Sequence, residues 1–369
     1  MSHLYLHVPY CAAKCPYCDF NSIAGRADEH DAYVTALLRE VRRLPRGPYS
    51  TIFIGGGTPT MLGAQLLERL LAGVRTHILL AEGYEWTCEA NPGSSDAARF
   101  AILAAHGVNR LSLGVQSTHQ HHLSFLGRVH DASEADHAIA AACAAVPRVS
   151  ADLMFGLPGQ SVAEVETDLT LYRRHRLDHA SVYHLAFEPG TEFHAKRSRG
   201  ELADIDGELS RQLLDLVGER LAGLGLDAYE TSNFATPGQA CRHNLAYWRL
   251  ADYQAAGAGA VSTLAGQRLT REKHPAAYIA AVMAGQDAVW KRELISADER
   301  LREAWMLGLR LSEGVDLANL AALGDSAERW QPLVQPLVDL GLVVLAPGRL
   351  RLAPTARYAQ DEVTVRLMP

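Results

Sequence analysis

The sequence predicts an α/β protein: a partial barrel of six β/α units, followed by a smaller C-terminal α+β module with a winged-helix-like pattern. Three observations predict it. Short apolar, β-branched or aromatic runs alternate with amphipathic or Ala/Leu-rich stretches through the first half, the pattern of a mainly parallel sheet with helices outside. The stretches with chemical character fall just after the carboxyl ends of those runs, where barrels of this kind carry their sites. From about Ile295 the alternation gives way to helices and a short hairpin.

The expected strands are LYLHV from Leu4, TIFI from Thr51, YEWTCE from Tyr84, RLSLGV from Arg110, VSADLMF from Val149 and ASVYHLA from Ala180. Between them, helices are expected at 28–44, 64–80, 95–106, 133–145 and 161–175. Six units are too few for an eight-fold closed barrel. A helix at 206–224 and a strand in LDAYETS offer one further unit, so the barrel is expected over residues 1–232. Residues 233–294 read as a connecting segment rich in Gly, Asn and aromatics; a long loop is usually functional or disordered. Phe234, Tyr247, Trp248 and Tyr253 argue against disorder. In 295–369, helices at 298–311, 317–323 and 330–340 lead to GLVVLAPGRLRLA, two short strands around Ala346-Pro347-Gly348, and a last helix at 357–367.

The chain has 369 residues, 48% hydrophobic and 21% charged, as in ordinary soluble proteins. A net charge of −7 and the lack of a dense basic helix argue against nucleic acid as a partner, the winged-helix pattern notwithstanding. That module is read as a structural or partner-docking lid. No uncharged run of about 18 apolar residues occurs, and MSHLYLHVPYC lacks a basic-then-apolar leader, so a cytoplasmic protein is expected. Six cysteines in such a chain read as thiols and metal ligands rather than disulfides. Cys88 and Cys143 read as small buried hydrophobes.

Cys11, Cys15 and Cys18, spaced C-x3-C-x2-C in HVPYCAAKCPYCDF, supply three thiolates from one loop. A cubic iron–sulfur cluster ordinarily takes four. Three leave one iron open, as catalytic metal sites leave a position open. The plain alternative is a zinc site completed by a distant histidine. Zinc sites usually come as two ligand pairs, and here Cys88, Cys143 and Cys241 stand singly. After the second strand, Gly55-Gly56-Gly57-Thr58-Pro59 lets a backbone pass close to a ligand. Alone, such a run is more often a tight turn.

Taken together, YLHVPYCAAKCPYCDF, GGGTP, EANPG, GVQS, DLMFGLPGQ and HLAFEPGT resemble the radical S-adenosylmethionine (SAM) superfamily. Within it they are most similar to the oxygen-independent coproporphyrinogen III oxidase-like family, in its haem-chaperone branch. The resemblance runs from residue 3 to about 365. It implies a [4Fe–4S] cluster on Cys11, Cys15 and Cys18, with SAM on the open iron and an electron donor to reduce it. It implies SAM contacts at Tyr5, Tyr17, Gly56, Gly57, Thr58, Glu89, Gln116, Arg128, Asp152 and Ala186. A guanidinium suits SAM's carboxylate because it can bond bidentately, and Arg128 is placed for that. Gln116 and Asp152 are assigned the ribose, Glu89 the ammonium. The plainer reading of the carboxylates is helix capping, weakest for Asp152, whose charge would sit within an apolar strand. Tyr5 on the first strand reads equally as core.

The oxidase carries a fourth cysteine, C-x3-C-x2-C-x-C, where this chain has Phe20, and it has an extension before its first strand. Both departures disfavour decarboxylation of coproporphyrinogen III. The run Cys241-Arg242-His243-Asn244-Leu245-Ala246-Tyr247-Trp248 fits the HNxxYW pattern that the resemblance associates with haem. His243 is the expected axial ligand, Tyr247 and Trp248 offer flat apolar faces, and Cys241 is read as a second ligand or an attachment point. The plainer reading is a histidine satisfying local backbone and a Tyr–Trp pair packing a seam. The expected function is a haem chaperone that carries a cluster and SAM and passes haem to an acceptor haemoprotein, one at the membrane among the candidates. The alternative is a true oxidase forming protoporphyrinogen IX through a 5′-deoxyadenosyl radical. A zinc-stabilised binding module is the third. Pairing of two copies is left open.

Overall fold

The computed structural model describes residues 2–368. The chain opens on β1 (Ser2–Val8), and two short parallel strands, β2 (Tyr10–Cys11) and β3 (Ile23–Ala24), bracket the cysteine loop. Then follow α1 (His30–Val41), β4 (Tyr49–Gly56), α2 (Ala64–His77), β5 (Leu80–Ala90), α3 (Ala97–Ala105) and β6 (Arg110–Gln116). Next come α4 (Gln120–Phe125), α5 (Ala132–Ala145), β7 (Arg148–Phe155), α6 (Val162–His175) and β8 (His179–His184). Strands β1, β4, β5, β6, β7 and β8 pair in parallel in that order.

The six strands alternate strictly. Leu4, Leu6, Val8, Ile52, Ile54, Trp86, Cys88, Leu111, Leu113, Ala151, Leu153, Ala180 and Val182 face the helices and share one core with Val34, Leu37, Leu67, Leu70, Leu71, Phe100 and Leu103. Successive strand residues point to opposite faces. The other parity therefore lines the inside, and apart from the stacked rings of Tyr5 and Phe53 it is largely polar there: His3, His7, Thr51, Glu85, Glu89, Arg110, Ser112, Ser150, Asp152, His179 and Ser181. Helix starts match side-chain caps. Asp131 before α5 and Ser161 before α6 each close a capping box, with Glu134 and Glu164 respectively.

The sheet extends beyond the six expected strands. After α7 (Glu192–Ser198) and α8 (Gly207–Ala222), the chain forms β9 (Asp227–Ala228) and β10 (Asn233–Ala235), then α9 (Arg242–Trp248) and β11 (Gln254–Ala256). The nine-stranded order is β11-β1-β4-β5-β6-β7-β8-β10-β9. β11 is parallel to β1, whereas β10 is antiparallel to β8 and to β9. The run LDAYETS thus supplies two strand residues and no further β/α unit. The 233–294 segment is no plain connector: it adds strands to both ends of the main sheet. It continues as an antiparallel sheet of β12 (Val261–Leu264), β13 (Gln267–Arg271) and β14 (Val289–Leu294), with α10 (Pro275–Met283) between the last two. Buried Glu40 on α1 ties this part in, accepting from Arg271 Nε at 3.0 Å, Tyr278 OH at 2.6 Å and Gly257 N at 3.0 Å.

The C-terminal module holds α11 (Ala297–Gly308), β15 (Val315–Asp316), α12 (Leu317–Ala322), α13 (Ala327–Asp339), β16 (Val343–Ala346), β17 (Arg349–Leu352) and α14 (Gln360–Leu367). It has its own core around Leu301, Trp305, Leu320, Trp330, Val334 and Leu350. Thr231 Oγ1 donates to Gln360 Oε1 at 2.8 Å, and Glu230 bridges Leu311, joining it to the barrel. Among the described residues, no helix is long and apolar enough to cross a membrane.

One cysteine departs from expectation. Cys88 is buried but Cys143 is exposed. The buried face of α5 runs through Ala135, Ala138, Ile139 and Ala142, and residue 143 lies about 100° round from 142 at 3.6 residues per turn.

Candidate functional site

The loops that leave the carboxyl ends of β1, β4, β5 and β6 converge on a cleft of about 900 Å³, open mouth included. That lies in the range of roughly 300–1,000 Å³ common for small-molecule sites. Cys11, Cys15, Tyr17, Cys18, Gly56, Gly57, Thr58, Glu89, Gln116, Arg128 and Asp152 all line it. Residues separated by up to 141 positions in sequence therefore share one cavity.

The three thiols are free and half-buried. Burial pushes the Cys11 and Cys18 thiols up, so as bare thiols they are protonated; a cation beside them would favour thiolate. Cys11 Sγ lies 3.6 Å from Thr58 Oγ1, and Arg128 Nη1 lies 3.5 Å from Cys15 Sγ. Glycines are required where strand ends crowd. Gly56 has φ +116°, and a Cβ there would meet the His7 ring at 2.5 Å. At Gly114 a Cβ would meet Asn91 Oδ1 at 2.5 Å.

The polar groups are held rather than loose. Gly56 N donates to Glu89 Oε2 at 3.1 Å, and Ser112 Oγ donates to Asp152 Oδ1 at 3.1 Å. Arg128 Nη2 donates to Gly114 O at 2.7 Å and to Asn91 Oδ1. Its Nε is buried with no partner, an unmet donor that a carboxylate would satisfy. Burial, then the Asp152 charge, raises Glu89 to about 7. Burial raises Asp152 to about 6 despite bonds from Ser181 and Ser112. Neither carboxylate caps a helix. Arg110 and, at Asp152, Arg128 only partly offset that burial, so the two acceptors suit a cationic ligand with hydroxyls. Gln116 has φ +71°, a sparsely used conformation for a residue with a side chain, at the edge of the cleft.

The cleft thus fits a cluster with SAM: three thiols from one loop, two acceptors and an unmet guanidinium donor. Two residues expected there are not in its lining. Tyr5 lies one layer below, its OH 2.9 Å from His7 Nδ1 and its ring stacked on Phe53. Ala186 is exposed in the loop after β8. Asn91, Ser112 and Gly114 do line it and were not singled out. Their signal was present: 112, 114 and 116 share one strand parity, and Asn91 follows Glu89 by two.

His243, Tyr247 and Trp248 lie elsewhere, at the amino-terminal floor of the sheet. His243 is 0% exposed. Its Nδ1 is 2.7 Å from Thr51 Oγ1 and its Nε2 2.8 Å from Tyr247 OH, so both ring nitrogens are engaged. Burial lowers its pKa to about 3, so the ring is neutral. Thr51 Oγ1 also meets His3 Nδ1 at 2.9 Å. Buried Glu85 accepts from Arg242 N at 3.1 Å, His243 N at 3.0 Å and Arg148 Nη1 at 2.8 Å. Burial alone would raise this carboxyl, but Arg110, Arg148 and the amides hold it low. Cys241 is fully buried, with Sγ 3.6 Å from Glu85 Oε1. Trp248 lies under the Arg310 guanidinium of the C-terminal module. In this conformation the segment packs a seam, with no imidazole nitrogen free for iron.

The Radical SAM superfamily model matches residues 5–171 and the HemN C-terminal domain model residues 295–359. A [4Fe–4S] cluster and SAM are what the first of these implies for the cleft. The chain is 36% identical to "Heme chaperone HemW" of Mycobacterium tuberculosis, over 99% of this chain and 94% of that one. It is 38% identical to "Heme chaperone HemW" of Escherichia coli, over 91% and 89%. In fold it matches the coproporphyrinogen III oxidase HemN of Escherichia coli, with a TM-score of 0.84 at 22% identity, covering 100% of this chain and 90% of that one.

Proposed function

Because this chain belongs to the HemW family of the radical SAM superfamily, we propose that it binds haem beside a SAM-bearing cluster and hands the haem to an acceptor haemoprotein. What carries this reading is identity of 36% and 38% to two haem chaperones over nearly the whole chain, together with a cleft whose donors suit the cluster and SAM. Cys11, Cys15 and Cys18 would hold three irons. Bound there, the cluster and SAM provide one-electron chemistry at an iron that no protein thiolate closes. Arg128, with its unmet Nε, would take the carboxylate of SAM; Glu89 its ammonium; Gln116 and Asp152 the ribose. Gly56, Gly57, Thr58 and Tyr17 shape the wall. Tyr5 supports that wall from below, and Ala186 lies at its outer edge.

Phe20, at the fourth-cysteine position of the oxidase, sits on the rim and is 59% exposed. With exposed Val129 it forms an apolar lip rather than a further sulfur ligand. Haem ligation by His243, with Tyr247 and Trp248 against the porphyrin, would require α9 to swing out and release both ring nitrogens.

The test is anaerobic reconstitution followed by haem loading and transfer. About four irons per chain are expected, with a spectrum that changes on adding SAM. Haem should bind, then appear in an apo-haemoprotein without conversion of coproporphyrinogen III. Turnover of coproporphyrinogen III with SAM and reductant, or no haem binding at all, would overturn the reading.

A further inference from the structure

Three imidazoles after β6, His119 at the N-cap of α4 and His121 and His122 within α4, serve neither the cleft nor the floor. The first turn of α6 faces them. His121 Nε2 lies 3.0 Å and His122 Nε2 3.5 Å from the same atom, Glu164 Oε1. All three donor atoms lie within 4.8 Å of one another, and the two imidazole centroids are 4.0 Å apart. A tetrahedral metal at about 2.05 Å from its ligands places donors about 3.3 Å apart. The two observed carboxylate–imidazole distances bracket that spacing.

A second observation points to a ligand. His122 is 3% exposed, and its Nε2 makes no hydrogen bond. A buried polar atom left unpaired is costly, and this one is aimed at the common centre.

The surroundings hold the three groups in place. Glu164 Oε2 accepts from Ser161 N and Ser161 Oγ, each at 2.8 Å, leaving Oε1 for the centre. His119 Nε2 is 3.2 Å from Glu164 O. Asp168 accepts from Ser117 Oγ at 3.0 Å and Thr118 Oγ1 at 2.6 Å, tying the loop to α6. Such outer contacts fix ligand orientation in metal sites.

We propose that His121, His122 and Glu164 form a site for a borderline divalent transition metal of the Zn²⁺ class, with water completing the coordination. Two imidazoles and a carboxylate suit that class. The side chain of His121 is 63% exposed, so the remaining positions open to solvent and the ion exchanges freely. The loop and α4 connect Gln116 to Arg128. An ion here pins to α6 the segment that carries both cleft residues.

The cluster-loaded full chain, its thiolates already occupied, is dialysed anaerobically against Zn²⁺. Compared are wild type, His121→Ala, Glu164→Gln, His122→Ala and the control His106→Ala. His121 is exposed, and glutamine can still close the capping box, so those two variants remain folded even if His122→Ala does not. Wild type and His106→Ala should each retain one Zn²⁺ that His121→Ala and Glu164→Gln bind more than 100-fold more weakly, beyond the roughly 10–100-fold that outer-shell losses cost. Equal retention in all of them overturns the site. Loss of haem uptake rather than Zn²⁺ in His121→Ala also overturns it, since the imidazoles would then belong to haem.

Discussion

Glu89 and Asp152 face the cleft with the charges of Arg110 and Arg128 only partly offsetting their burial, and the cofactor-free protein stores that conflict. Glu89 titrates near 7 in the fold and near 4.5 when unfolded, so folding takes up a proton between those values. The stability it contributes is complete below about pH 4.5 and is lost as pH rises through 7. Asp152, raised to about 6, acts in the same direction. Cofactor-free protein should therefore melt at a higher temperature at pH 6 than at pH 8, each displaced pH unit being worth about 1.4 kcal/mol. Glu89→Gln should shrink that difference. Thermal melts of both proteins across this range check it, and an unchanged slope would mean that Glu89 is not the group responsible. The sequence showed these carboxylates and their ligand chemistry; it did not show that Asp152 lies close enough to Glu89 to raise it.

At the scale of elements, α9 is governed from outside itself. Its N-cap, Cys241, makes no side-chain cap bond; Glu85 from β5 instead accepts the amides of Arg242 and His243. A carboxylate at a helix amino terminus also meets the favourable end of its dipole. Glu85→Gln removes that charge and leaves Arg148 without its buried counter-ion, a loss of about 3–5 kcal/mol for a broken buried pair. Amide exchange in residues 242–248 should accelerate at least tenfold, measured by mass spectrometry, while β6 and β7 amides keep their protection. If His243 ligates haem, the variant should also take up haem faster than wild type. Slower uptake would place the ligand elsewhere. The HNxxYW pattern was legible in the sequence, but its burial was not. The charges that hold α9 down come from residues 85, 110 and 148, which no local window joins to 243.

The whole molecule carries −7 charge and ends in a helical module with a three-stranded wing, β15-β17-β16. Several of its basic side chains are spent on neighbours: Arg329 pairs with Asp325, Arg349 with Glu313 and Asp316, and Arg366 with Glu362. Duplex DNA should show no mobility shift with this protein at about 150 mM salt, since binding of that kind is driven by phosphate neutralisation. A shift that weakens steeply with salt would refute this. Seam groups such as Thr231–Gln360 and Arg310 over Trp248 instead tie the module to the floor beside α9.

Alternation of apolar and polar residues decided the six parallel strands and their helices, because burial on one face imposes a period that is written locally. Cysteine spacing decided the cluster loop for a similar reason: all three ligands lie within eight residues. The antiparallel β10 and β9, the return of β11 to the edge of β1, the exposure of Cys143 and the closed state of His243 were settled only by the tertiary structure. Each depends on which distant segment covers a surface, and that is a matter of packing between parts of the chain far apart in sequence.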